Sequence, residues 1–80
     1  MTRMANQTHN SEVAARVRAL LTAQGISGRR LARDLNLSAP YVARRLVGEV
    51  EFTESDIRAV ALRLGVTPAF LIDGESAVAA

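Results

Sequence analysis

The chain has no cysteine, no lysine and no tryptophan, and only two prolines among its 80 residues. Without cysteine, neither a disulfide framework nor a thiolate zinc site can support a core, which excludes stapled secreted miniproteins and zinc fingers. No apolar run approaches the ~20 residues that cross a bilayer, and the opening MTRMANQTHN lacks the apolar stretch of a signal peptide. The only histidine, His9, lies in a polar segment with no partner near it in sequence. The carboxylates are spread over helix ends, where they serve capping, and no Gly-rich phosphate loop or metal-ligand cluster occurs. A nucleophile with a base beside it is therefore missing, and the expectation is no enzyme, no metal and no cofactor.

What is present is helix-prone. Nearly half the residues are hydrophobic, enough for one small domain with a single core. All ten basic residues are arginines, a composition that a G+C-rich genome by itself explains. Their positions carry more information. Residues 1–48 hold eight arginines against Glu12 and Asp34, a balance of +6, whereas residues 49–80 hold Arg58 and Arg63 against six acids, a balance of −4. The formal net charge of +2 thus belongs to a dipolar molecule.

Periodicity and capping signals predict an all-α fold of five helices. Residues 1–10 are polar and without period and read as a flexible arm. Val13, Val17, Leu20 and Leu21 share one face of a first helix, from about Glu12 to Gln24, that stops at Gly25. Ser27 caps a second helix in which Leu31, Ala32 and Leu35 point inward and Arg29, Arg30 and Arg33 outward, ending at Asn36. Ser38 caps a third, with Pro40 tolerated in its first turn, Val42 and Leu46 buried, and Gly48 as its stop. Thr53 to Asp56 forms a capping box before Ile57, Val60, Ala61 and Leu64, and Gly65 ends that helix. Thr67-Pro68 opens a short last helix, Ala69 to Ile72. Phe52 and Phe70 are expected to plug the core at the two ends of the fourth helix. The domain spans 11–73, and residues 74–80 read as a disordered tail.

Between Ser27 and Gly48 the sequence SGRRLARDLNLSAPYVARRLVG has the form of a helix-turn-helix. Two helices meeting at a steep angle need a small residue where they approach, and Ala32 stands there. The turn needs a residue that tolerates positive φ four positions later, and Asn36 supplies it between the apolar Leu35 and Leu37. Such a unit is built to place one helix in a groove of double-stranded DNA.

On these residues, together with the trailing FTESDIRAVALRLGVTPAFLI, the stretch from Val13 to Ile72 resembles the five-helix, lambda-repressor-like DNA-binding domain of the phage repressor and Cro class, the xenobiotic-response-element type of regulator. The resemblance implies a small bacterial or phage repressor acting on double-stranded DNA, in the cytoplasm or on the nucleoid, without a small-molecule ligand. It places Ala39, Pro40, Ala43 and Arg44 where the family reads base edges, with Tyr41 and Arg45 as further candidates. It places Arg29, Arg30 and Arg33 where the family holds phosphates, and the caps and first turns at Ser27, Gly28 and Ser38 join that set. Ala39, Pro40 and Ala43 can offer only apolar contact, to a thymine methyl, so hydrogen-bonded discrimination falls to Arg44.

The sequence departs from the family at three places. Gly28 stands where many relatives have a phosphate-clamping Gln, Arg45 stands where many have an apolar residue, and Glu49 and Glu51 occupy a loop where basic residues would help most. Two placements stay open for Arg45, facing DNA or packing its stem on the domain, and two for Tyr41, packing on the helices or reaching a phosphate. A weak homodimer on a near-palindromic site would use the last helix, with Val66, Phe70, Leu71 and Ile72 either as the contact or as core closure. Two other readings share the fold: an antitoxin-like or adaptor protein docking through its acidic half from Glu49 onward, and a phage recombination or excision factor.

Overall fold

The computed structural model describes the backbone of residues 2–75 and the side chains of 12–75. Five helices follow one another: α1 (Thr2–Gln24), α2 (Gly28–Asp34), α3 (Ala39–Leu46), α4 (Glu54–Leu64) and α5 (Pro68–Asp73). The described residues contain no strand. Side-chain caps fix where four of the helices begin. Ser27, Ser38, Thr53 and Thr67 each accept a hydrogen bond from the backbone N–H three residues on, at 3.0, 3.2, 3.1 and 3.1 Å. Each such cap contributes about 1 kcal/mol by satisfying an otherwise orphaned donor. Asp56 completes the capping box of α4 by accepting from Thr53 N–H at 3.1 Å.

The turn between α2 and α3 ends one helix and aims the next. Asn36 takes φ 62°, the only positive φ at a non-glycine residue among those described. Around it Leu37 N–H donates to Ala32 C=O at 2.8 Å and Asn36 N–H to Arg33 C=O at 3.1 Å, the paired bonds of a Schellman motif. Ala32, 1% exposed, lies in the core.

Two helix limits differ from expectation. α1 starts at Thr2, so the segment read as an arm continues the helix without a break. It contains no glycine or proline, and a helix already held by its apolar face extends at little cost through such residues. α5 runs from Pro68, whose fixed φ and missing N–H suit a first helical position, and is one residue longer at each end than expected. Gly74 at φ 75° ends it, and the rest of the expected tail, 76–80, lies outside the described residues.

α1 is the spine, packing against α3, α4 and α5, while α2 packs on α3. Val13, Val17 and Leu21 from α1 meet Leu31, Val42, Val60, Leu64 and Leu71 in one core closed by Phe52. Phe70 plugs the same core half-buried rather than fully enclosed. Polar side chains of α1 also reach the last-turn carbonyls of three other helices. Arg18 donates to Leu46 C=O of α3. Gln24 donates to Leu64 C=O of α4 at 2.8 Å, and Arg16 donates to Leu71 and Ile72 C=O of α5 at 3.0 and 3.1 Å. These carbonyls have no partner within their own helices, and two of the three donors carry the positive charge that a helix C-terminus favours.

A second polar network ties α3 to the start of α4. The carboxylate of Asp56, 7% exposed, accepts from Tyr41 Oη at 2.9 Å and pairs with Arg45 Nε at 3.4 Å. Arg45 lies over the Tyr41 ring, 3.5 Å from its centroid, and donates to Tyr41 C=O at 3.0 Å. The hydrogen bond to Asp56, then partial burial, raises the Tyr41 phenol above its ordinary pKa.

Two stability predictions come from these contacts. Arg16→Met keeps the apolar stem but removes the donor, and should lower unfolding free energy by about 1–2 kcal/mol. Hydrogen exchange should then speed up in α5 more than in α2; equal acceleration in both would contradict an anchoring role. Asp56→Ala strands the Arg45 guanidinium and should cost about 3 kcal/mol in denaturant melts. The Asp56–Tyr41 bond also has a pH signature, because a raised folded-state pKa means the stabilisation is complete at neutral pH and fades as the unfolded phenol ionises. Between about pH 9 and pH 11 the wild-type denaturation midpoint should fall more steeply than that of Tyr41→Phe. Absorbance of this single tyrosine reports the same titration directly.

Candidate nucleic-acid interface

Capping and turn geometry leave α3 with two distinct sides. Val42 is buried, Leu46 is half-buried against the core, and Tyr41 and Arg45 are half-buried in the Asp56 network. Ala39, Pro40, Ala43 and Arg44 are exposed. Advancing about 100° per residue, these four fall within an arc of about 140° opposite the buried side. Arg44 and Arg45 are neighbours in sequence and have opposite assignments. Arg44 is exposed, with its guanidinium free of any ion pair or hydrogen bond among the described residues, whereas Arg45 keeps only 12% of its side chain exposed.

The expected base-reading group is therefore divided. Ala39, Pro40, Ala43 and Arg44 share one open face, and Tyr41 and Arg45 are committed to Asp56 behind it. The guanidinium of Arg45 stacks on the Tyr41 ring because the buried carboxylate of Asp56 lies in reach beside it.

α2 brings a second set of cations to the same side. Arg29 and Arg33 are exposed and, like Arg44, have guanidinium groups without a partner among the described residues. Arg30 is held 3.8 Å from Asp34, one turn along the helix. Asp34 is also engaged by Arg63 of α4 at 2.8 Å, so the one acid on α2 faces a cation from another helix. A groove between α2 and α3 is lined by Arg29, Arg30, Arg33, Asn36 and Ala39. It adjoins a second, lined by Gly28, Arg29, Ala39, Pro40 and Ala43, so the free cations and the open face of α3 form one continuous surface.

The capping serines lie at the edge of this surface, with each side-chain oxygen occupied by its own helix. Gly28 sits in close contact with the end of the Leu46 side chain. A Cβ there would meet Leu46 Cδ1 at 2.9 Å, so this position lets α2 sit close against α3. The acids of the following loop, Glu49 and Glu51, are exposed.

Of the four residues considered for a dimer contact, Leu71 is fully buried and belongs to the core. Val66 and Phe70 are half-buried against that core, and Ile72 is half-buried beside them in α5. Of the two alternatives, Leu71 takes core closure, because α5 turns its apolar face towards α1, where Arg16 anchors it.

One further exposed residue was not anticipated. Val47, the C-cap of α3, is 68% exposed and follows Ala43 by one turn. Projecting the helix one residue past Leu46 would have found it. Among the described residues no three His, Cys, Asp or Glu side chains are grouped to hold a metal ion, and no helix is long and apolar enough to cross a membrane.

Comparison with known proteins agrees with this architecture at the level of the family. No curated protein and no solved structure matches the chain. The BetR domain family matches it over residues 8–80, a span that contains the core-forming part of α1 and all of α2 to α5. The protein belongs to the BetR domain family.

Proposed function

We propose that this protein is a sequence-specific regulator that binds double-stranded DNA by laying α3 in the major groove, with α2 across the phosphate backbone. The observation that carries the reading is the partition of the arginines. Arg16, Arg18, Arg30, Arg45, Arg58 and Arg63 all have protein partners. Among the described residues Arg29, Arg33 and Arg44 have guanidinium groups without a partner, and all three lie on the surface formed by α2 and α3. Desolvated phosphates and guanine edges are what such unpaired, planar donors match. The BetR match supports a DNA-binding regulatory role, and repression of the Cro type is the form of it that a small domain of this kind fits.

Each residue then has a role. Arg29 and Arg33 hold phosphates on all sequences alike, and Arg44 reads a guanine by its two-pronged donor set. Tyr41, Arg45 and Asp56 set the position of α3 from behind without touching DNA. One α3 covers few base pairs, so the reading includes two protomers on a two-fold site with half-sites about 34 Å apart. Val66, Phe70 and Ile72 retain the exposure for that contact. The protein-docking alternative has less to work with, because Asp56 of the acidic half is buried and Glu54 is paired with Arg58 at 3.1 Å.

Selection from a pool of random duplexes at two salt concentrations tests the reading. An enriched motif with two-fold symmetry and a steep salt dependence is the expected result; no enrichment at either salt would reject DNA recognition. On the enriched duplex, Arg29→Ala and Arg33→Ala should weaken cognate and scrambled DNA equally and each reduce the salt slope by about one. Arg44→Ala should instead lose about tenfold on the cognate duplex and little on scrambled DNA. Equal loss on both would make Arg44 a phosphate contact.

A further inference from the structure

The outward side of α3 is unusual for a helix face in water, because only one of its residues is charged. Ala39, Pro40, Ala43 and Val47 occupy it together with Arg44. At about 100° per residue Val47 falls near the middle of the arc that runs from Ala39 to Arg44. It is the largest apolar side chain on that face and keeps 68% of its surface exposed. Val50, 37% exposed, extends the apolar strip and lines one groove with Pro40 and Arg44. The outer residues of α4 set Leu62, 85% exposed, among the polar Glu54, Ser55 and Arg58, whereas on α3 the apolar residues are contiguous.

Small side chains on this face have a geometric consequence. Ala39 and Ala43 reach no farther than a Cβ, so they touch a base only if the helix backbone itself sits deep in the groove. Val47 lies in the same angular sector at the C-terminal end of α3, so a helix seated that deeply along its whole length also brings Val47 to the groove floor. The groove-floor feature that apolar carbon can recognise is the 5-methyl group of thymine. No other side chain on the face can donate a hydrogen bond to a base edge except Arg44.

The geometry points to Val47 as a specificity-determining residue at the C-terminal end of the interface, reading a pyrimidine 5-methyl group beside those met by Ala39, Pro40 and Ala43, while Arg44 supplies a single guanine contact. This inference rests on the DNA-binding reading above. It makes the preferred ligand a duplex whose major groove presents a cluster of thymine methyls flanked by a guanine. Glu49 and Glu51, exposed beyond the end of α3, repel phosphate and so remove non-specific affinity that would mask so modest a readout.

Uracil tests the inference, since it differs from thymine only by the methyl group. The duplex enriched from the random pool is resynthesised with uracil for each thymine in turn, and full-length protein is titrated against each version. Wild type should bind about fourfold more weakly for each contacted methyl removed. Val47→Ala should abolish the thymine–uracil difference at one position and keep the guanine dependence, with an unchanged circular-dichroism melt as the check on folding. If the thymine and uracil duplexes bind wild type equally, or the enriched motif has no thymine beneath α3, methyl reading is overturned while DNA binding stands. If Val47→Ala leaves every thymine–uracil difference in place, the assignment of Val47 is overturned. Failure to enrich any motif removes the DNA-binding reading and this inference with it.

Discussion

The arrangement of this domain depends on one recurring contact, a side chain of α1 donating to the last carbonyls of another helix. α2 to α5 contain between six and eleven residues each, lengths at which an isolated helix is marginal in water. Their C-terminal carbonyls would otherwise depend on solvent beside a dry core. Arg18, Gln24 and Arg16 bind the ends of α3, α4 and α5 in turn, so a single long helix both buries the common core and fixes where three short ones stop. The fourth, α2, has no such donor among the described residues and is held by the Schellman turn at Asn36, by packing on α3 and by the Asp34–Arg63 pair.

Arginine therefore serves opposite purposes in different parts of the molecule. As a helix anchor it satisfies carbonyls, as at Arg16 and Arg18; within the Asp56 network it neutralises a buried acid and covers an aromatic ring, as at Arg45. Among the described residues its charge remains available where no carboxylate or carbonyl lies in reach, and those positions gather on α2 and α3. The basic pole expected from the sequence is consequently smaller and more directed than its count of arginines suggests. Internal pairing removes the scattered charge and leaves a compact group beside the open face of α3.

That face is held from behind. Tyr41, Arg45 and Asp56 lock α3 to the N-terminus of α4, and Gly28 allows α2 to approach it where a larger residue would displace Leu46. A rigidly placed helix can recognise a groove with small side chains, because shape then does the work that long flexible residues do elsewhere. The bare outer surface and the polar network beneath it are two sides of one design.

Local chemistry accounts for what the sequence by itself determined. Ser27, Ser38, Thr53 and Thr67 mark helix starts through bonds that span three residues, and Asn36 marks a turn through its tolerance of positive φ, so these signals act within one turn of chain and were legible. The small Ala32 and the alternation of apolar positions likewise gave the core and the helix-turn-helix. The length of α1 escaped because residues 2–10 carry no apolar period, and helix continuation there needs only the absence of a breaker. The long-range partners of Arg16, Arg18, Arg45 and Asp56 are decided by tertiary structure, since those contacts bridge between 11 and 56 residues of chain. Arg44 and Arg45 show the division most clearly: identical side chains on adjacent residues, separated in role by about 100° of helical rotation and by a carboxylate that only folding brings alongside one of them.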